Sequence, residues 1–173
     1  QTCALPILLF YPAFYGGTLL LELEEVDRAI GLAYATGDCL VWVDECTKVL
    51  PAAYVEHKMP AAYALLNHGR HHRVSALFAG PRVVTMSPLV LAQSDHVLMY
   101  RQKSTADIER LGDALCNDRT ERDDLAKAIR SLPQHWYLWW NGSVDDSSEA
   151  ITLYPPVPLP RQLRPPLPHT PRS

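Results

Sequence analysis

The spacing of apolar residues in the first part of the chain predicts a helix. Between residues 19 and 35, apolar positions that include Val26, Ile30 and Ala33 recur every three or four residues, with acidic and basic residues between them. This is the pattern of an amphipathic helix with one face on a core. Gly37 follows directly and predicts the end of that helix.

Short continuous apolar runs follow the helix and predict strands. Runs of this kind, with no polar alternation, are typical of strands that are buried on both faces of a parallel sheet. A helical stretch that Pro60 opens and Gly69 closes lies between the first two runs, and a short helix over 89–93 is possible before the third. Strands that alternate with helices imply βαβ units, so we expect an α/β fold with a mainly parallel sheet flanked by helices. The three runs are 39–43, 74–78 and 96–100.

Two more helices and one strand are predicted after residue 101. Ser104 with Asp107, and Thr120 with Asp123, each place a hydroxyl three residues before an acid and ahead of a periodic apolar stretch. That spacing is typical of the first turn of a helix. The aromatic run WYLWW at 136–140 predicts a last strand.

Length and composition favour one domain in a reducing compartment. The chain has 173 residues, 47% of them hydrophobic, which is enough for one core. Its net charge of -3 argues against a globally basic nucleic-acid binder, although a local basic patch stays open. The four cysteines show no spacing typical of disulfide frameworks or zinc sites, so a cytoplasmic location is expected. No apolar run is long enough to span a bilayer.

The two ends of the chain differ from the middle. The opening sequence QTCALPI resembles the translated end of a short-read sequencing adapter, so residues 1–7 are expected to be an artefact and the protein to extend further upstream. Residues 8–143 are predicted to form the core. Residues 144–173, which are rich in proline from Pro155 onward, are predicted to form a disordered tail.

An acidic pair follows the first predicted strand. Asp44 and Glu45 stand where residues 40–43 emerge from the sheet, and ligands of open α/β sheets bind at the carboxyl ends of the strands. One carboxylate can hold Mg²⁺ and the other can activate a water for phosphoryl transfer, as in a Walker B motif. An acid that merely ends a strand and caps the next helix fits the same pattern, and the pair alone does not decide between these interpretations.

The order of motifs around the pair resembles the second half of the FtsK/HerA-type P-loop ATPases. This family includes phage DNA-packaging and zonular-occludens-toxin-like assembly ATPases. The resemblance covers about residues 20–140 and is carried by VWVDE, by GRH at 69–71 and by the segment from Pro88 to Arg101 with its Gln, Asp and Arg at matching positions. It implies part of a RecA/ASCE-like P-loop NTPase fold, with ATP as substrate, Mg²⁺ held by Asp44 and water activated by Glu45. It also implies DNA as partner and a homo-oligomeric ring as the assembly.

The sequence departs from this family at two places. Where the family has a polar sensor after the strand that follows GRH, this chain has Ala79, Gly80, Pro81 and Arg82 and no glutamine. No Walker A sequence G-x-x-x-x-G-K-[ST] occurs, so no cofactor-binding residues are assigned. We therefore expect this chain, as it stands, to be inactive.

Two arginines are candidates for catalysis. Arg70 can act as an arginine finger on a neighbouring subunit's nucleotide, or as a helix-end cation that faces the helix dipole. Arg101, directly after a predicted strand, is either a site residue or half of a structural salt bridge.

Other motifs leave a second class of function open. Zinc binding by the histidines at 68, 71 and 72 is not favoured, and WYLWW fits either stacking on single-stranded nucleic acid or sheet packing. The tail contains PPVPLPRQLRPP, which matches P-x-x-P ligands of SH3-like domains. The alternative function is thus a non-enzymatic α/β module that binds protein partners through its tail.

Overall fold

The structure of the 173-residue chain is a computed structural model. The structure describes residues 5–11, 14–21, 23–46, 50, 55, 57–144 and 147–156. Side chains are described from residue 25 onward within these ranges, except at 147 and 148.

The first part of the described chain contains a four-stranded sheet in the order β2-β1-β3-β4. β3 pairs with β4 in parallel, with Cys39 opposite Val74 and Val43 opposite Phe78, whereas β1 is antiparallel to both β2 and β3. The strands are β1 (Leu5–Tyr11), β2 (Phe14–Leu21), β3 (Cys39–Val43) and β4 (Val74–Phe78).

Two helices cover this sheet and bury its core. α1 (Leu23–Thr36) packs beside α2 (Pro60–His68), and a 3₁₀ turn (Gly69–His72) leads from α2 into β4. The apolar stripe of α1, which includes Val26 and Ile30, meets the alternate buried positions of β3. The pattern of apolar residues therefore placed the first core correctly.

Gly37 ends α1 for a steric reason. Its φ of +71° lies in the left-handed region, and a Cβ at this position would lie 2.7 Å from the carbonyl oxygen of His72. Any other residue would clash there, so the turn from α1 into β3 needs glycine.

The second part of the described chain contains an antiparallel sheet in the order β5-β6-β7. Helices α4 and α5 pack on one face of it, and this core includes Met99, Leu111, Ile129 and Leu138. The elements are α3 (Pro88–Ala92), β5 (His96–Tyr100), α4 (Thr105–Leu115), α5 (Arg119–Ser131), β6 (Tyr137–Asn141), α6 (Ser147–Ala150) and β7 (Ile151–Tyr154).

The prediction of one mainly parallel sheet is wrong for the described strands. Only β3 and β4 run in parallel, and β5 pairs with β6 in a separate sheet. The reason lies in the connection. A single crossover helix brings the chain back to the edge where a parallel strand starts, but the α4–α5 pair returns it to the opposite edge, so β6 runs antiparallel to β5.

Several element boundaries also differ from the prediction. Residues 19–21 belong to β2, so the first helix begins at Leu23. α5 is capped by Asp118, whose side chain accepts the Glu121 N–H, and not by Thr120 with Asp123. The predicted cap of α4 is confirmed, because the Ser104 hydroxyl accepts the Asp107 N–H.

The division of the chain into core and tail was set too early at residue 143. α6 and β7 extend regular structure to Tyr154, and β7 is hydrogen-bonded to β6. The proline-rich residues 157–173 lie outside the described residues, so their predicted disorder stays a prediction. The same holds for the adapter origin of residues 1–7, although residues 5–7 are part of β1.

Candidate functional site

The acidic pair lies in a tight turn at the carboxyl end of β3. Asp44 and Glu45 follow the buried Val43, and both are partly exposed. One carboxylate oxygen of Asp44 accepts the backbone N–H of Glu45 at 2.9 Å. The Asp44 side chain therefore fixes its own turn, as short acidic side chains commonly do.

The loop that follows β4 runs beside this acidic turn. The Ala79 N–H donates to the Val43 carbonyl at 2.9 Å, and the Cys46 N–H donates to the Ala79 carbonyl at 2.8 Å. These two bonds continue the parallel pairing beyond the ends of the strands. The acidic turn and residues after β4 thus form one edge, which is where ligands bind in open α/β folds.

Glu45 has an unusual backbone conformation. Its φ of +51° lies in the left-handed region, which side chains with a Cβ seldom adopt. Such residues persist where the surrounding structure or the function requires them.

Replacing Glu45 with glycine is therefore expected to stabilise the protein. The left-handed region costs about 1–2 kcal/mol for a residue with a Cβ, and glycine's greater freedom in the unfolded chain returns about half of that, so we expect a net gain of about 0.5–1 kcal/mol. Urea denaturation followed by circular dichroism measures this change. Asp44→Gly is the control, since Asp44 has no positive φ, and it should lower stability. Destabilisation by Glu45→Gly would show that side-chain contacts of Glu45 outweigh its backbone cost.

Cys46 next to the pair is a packing residue. It is fully buried in the first core, and burial, reinforced by the negative charge of Asp44, raises the pKa of its thiol to about 12. A thiol with that pKa carries almost no thiolate at neutral pH and is a poor nucleophile.

A buried carboxylate holds the loop after β4. Asp107 in α4 is completely buried, and its two oxygens accept the Arg82 Nε–H at 2.7 Å and the Val84 N–H at 2.9 Å. The Arg82 side chain is 54% exposed. Asp107 therefore links the loop that borders the acidic turn to the second core.

The hydrogen bonds of Asp107 decide its protonation state. Burial alone would raise the pKa of this carboxyl group, but bonds from the Val84 N–H, Ser104 and Arg82, together with the Arg82 charge, lower the pKa below its usual value. Asp107 is thus ionised at neutral pH, and its carboxylate can accept the bonds from Arg82 and Val84 in the loop.

The two candidate arginines lie at different places in the fold, one before β4 and one after β5. Arg70 is exposed in the 3₁₀ turn before β4, at the amino ends of the parallel strands. At about 3.3 Å per residue, the five residues of β3 put that edge about 16 Å from the acidic turn. Arg101 is exposed directly after β5, in the second sheet, which shares no strand pairing with β3 or β4 among the described strands.

The metal candidate consists of one carboxylate. Within the ranges that the structure describes, no three His, Cys, Asp or Glu side chains group as a metal site, so Asp44 is not part of such a cluster there. Mg²⁺ commonly binds through one or two carboxylates, waters and substrate phosphates, and Asp44 fits that kind of site. Elsewhere, the rings of His68 and His71 are 6.3 Å apart, and His72 packs against Tyr34.

Sequence reasoning missed the role of Asp107. It identified the residue as part of a helix cap, which is correct for its N–H but not for its side chain. A signal was present: Asp107 lies on the same helical stripe as Ile108 and Leu111, both of which are buried. An acid on an apolar stripe predicts a buried carboxylate with a specific partner.

Comparison with solved structures identifies the class of fold. No protein-family model matches the sequence, and no curated protein matches it significantly. The structure nevertheless matches viral genome-packaging NTPases: 78% of the chain superposes on them at 18–20% sequence identity. At this identity, the likeness establishes the fold alone.

One of the matched proteins is B204 of Sulfolobus turreted icosahedral viruses. For B204 of virus 2 in complex with AMPPCP, the TM-score is 0.61 at 19% identity, and the match covers 64% of that chain. For the complex with ATP-gammaS, the TM-score is 0.59 at 20% identity, and the match covers 60% of that chain. For B204, the DNA-packaging ATPase from Sulfolobus turreted icosahedral virus, the TM-score is 0.59 at 18% identity, and the match covers 60% of that chain. The present chain thus corresponds to less than two thirds of the length of these neighbours.

Within the described residues, no helix is both long and apolar enough to cross a membrane.

Proposed function

We propose that this chain is part of an ATP-hydrolysing motor of the FtsK/HerA type that moves or packages viral DNA. The supporting observation is the position of Asp44 and Glu45 in a tight turn at the carboxyl end of β3, within the fold of a genome-packaging NTPase. The resemblance of the surrounding motifs supports the FtsK/HerA type. The cytoplasm of a bacterial or virus-infected cell is the proposed location.

The two acids have different roles in this proposal. Glu45 is the general base that orients and deprotonates the attacking water, for which a partly exposed carboxylate at the sheet edge is suitable. Asp44 would hold Mg²⁺. The bound ion would supply charge neutralisation on the phosphate oxygens.

In a ring of subunits, Arg70 would act on the nucleotide of a neighbouring subunit and not beside Asp44 and Glu45 of its own chain. Arg70 is exposed at the opposite edge of the sheet, which suits contact with a neighbouring subunit better than contact with Glu45 of the same chain. An arginine supplied in trans stabilises charge on the transferred phosphate. Arg101 follows β5 in the second sheet.

The 173-residue chain alone is expected neither to bind ATP tightly nor to hydrolyse it. Its sequence has no glycine-rich loop with a following lysine, and that loop provides the backbone N–H groups and the charge that hold the phosphates. Isothermal titration calorimetry with ATP and Mg²⁺, together with a phosphate-release assay, tests this expectation. ATP turnover that disappears in Glu45→Gln would contradict it, and would show that other residues replace the loop.

A further inference from the structure

The second sheet has one face that its helices do not cover. Because cross-strand partners point to the same side, the register assigns Leu138 and Trp140 of β6 to the core face and Tyr137 and Trp139 to the other face. The aromatic run WYLWW therefore divides between the two faces. Three of its five residues, Trp136, Leu138 and Trp140, pack in the core.

The uncovered face carries a continuous row of rings. Tyr137 of β6 lies between Tyr100 of β5, at 5.8 Å between ring centroids, and Tyr154 of β7, at 5.4 Å. Trp139 extends the row, 5.9 Å from Tyr154 and 5.5 Å from His96. We define these five residues as the aromatic face.

The aromatic face is accessible to solvent among the described residues. Tyr100 is 52% exposed, and Leu98, between Tyr100 and His96 on the same side of β5, is 53% exposed. Aromatic residues that are held by neighbours across a sheet are already ordered, so a ligand that stacks on them meets little additional entropic cost.

The charge at one end of this face is positive. The three strand ends that meet beside Tyr100, Tyr137 and Tyr154 belong to segments 100–105, 133–137 and 152–156, and these contain no acidic residue. They contain Arg101, Lys103 and His135, all exposed. Further along the sequence, residues 157–173 contain Arg161, Arg164 and Arg172 and no acid.

We propose that the aromatic face binds single-stranded nucleic acid. Bases would stack on the tyrosine row, and the phosphates would meet Arg101 and Lys103. Flat aromatic surfaces flanked by cations bind single strands in this way, with little dependence on sequence, whereas the bases of a duplex are not available for stacking. This role goes beyond ATP hydrolysis and gives Arg101 a function away from Asp44.

Fluorescence anisotropy with labelled dT12 and the full chain, without nucleotide, tests the proposal. We expect binding of dT12, and binding at least about tenfold weaker for a 12-base-pair duplex. Tyr137→Ala and Tyr100→Ala should each weaken dT12 binding about tenfold, since stacking contributes about 1–3 kcal/mol per base. Tyr63→Ala, which removes a similarly exposed ring from α2, is the matched control and should leave binding unchanged.

The phosphate contact has its own test. Arg101→Ala should lower the slope of log K against log salt by about 0.7, the value for one phosphate contact on a single strand. Arg130→Ala, an exposed arginine in the last turn of α5, should leave the slope unchanged.

Two outcomes would overturn the proposal. One is the absence of dT12 binding at low salt, or binding that the tyrosine variants leave unchanged while circular dichroism shows them folded. The other is a change of tryptophan fluorescence when a peptide of residues 157–168 is added, with no change when dT12 is added. That result would make the aromatic face a docking site for the proline-rich segment. Because no nucleotide is used, this test and the test of the proposed ATPase can fail independently.

Discussion

Replacing Asp107 with alanine is expected to lower the free energy of unfolding by about 3 kcal/mol. Breaking a buried charge pair by removal of one partner costs about 3–5 kcal/mol. Here the low end applies, because Arg82 is 54% exposed and can turn to solvent. The loss also includes the hydrogen bond that the Val84 N–H donates to Asp107.

Urea denaturation of matched variants measures this effect. Asp113→Ala is the control on the same helix: Asp113 pairs with Arg122 at 2.6 Å, but both side chains are largely exposed, so its removal should cost less than about 1 kcal/mol. The loss of unfolding free energy in Arg82→Ala should lie between those of Asp107→Ala and Asp113→Ala, because Asp107 keeps the bond from the Val84 N–H. Equal effects of Asp107→Ala and Asp113→Ala would show that the link between the loop and the second core is not important for stability.

The pH dependence follows from the lowered pKa of Asp107. A carboxyl group whose pKa is lower in the folded state contributes stability above its unfolded pKa of 3.8 and loses that contribution as the pH falls through the folded pKa. The difference in stability between the wild type and Asp107→Ala should thus be full at neutral pH and shrink below about pH 4.

In a form of the protein that includes a phosphate-binding loop, Glu45→Gln is expected to reduce ATP hydrolysis about 10²- to 10⁴-fold. That range is typical for loss of a general base. Glutamine has nearly the same size and can adopt the same turn, but it cannot accept a proton from water. The affinity for ATP should change less than about threefold, because in this proposal Glu45 acts on the water and not on the phosphates.

Single-turnover hydrolysis and equilibrium binding, measured on the same preparation, separate these effects. Glu25→Gln removes an exposed carboxylate from the start of α1 and serves as control, with no change expected in either quantity. An unchanged rate in Glu45→Gln would remove Glu45 from the mechanism. Parallel loss of binding and hydrolysis would indicate that Glu45 only maintains the turn.

The sequence by itself determined the local elements of this protein. Apolar spacing, together with residues that begin or end helices such as Pro60 and Gly37, placed α1, α2, β3, β4 and β5. These signals act within a few positions of the chain, so they can be recognised from sequence. The acidic pair was also identified from sequence alone, since its position after a buried strand is a local feature. Its catalytic role stays a prediction.

Only the tertiary structure decided how distant segments meet. Strand direction in the second sheet, the separation of Arg70 from the acidic turn and the contact of Asp107 with Arg82 all depend on the path of the chain between elements. The alternation of WYLWW between two faces is local, because successive side chains of a strand point to opposite sides. Only the tertiary structure decided which of these faces packs against helices α4 and α5. Local patterns specify which residues are buried, but side-chain partners across the fold are set by three-dimensional packing, which those patterns do not encode.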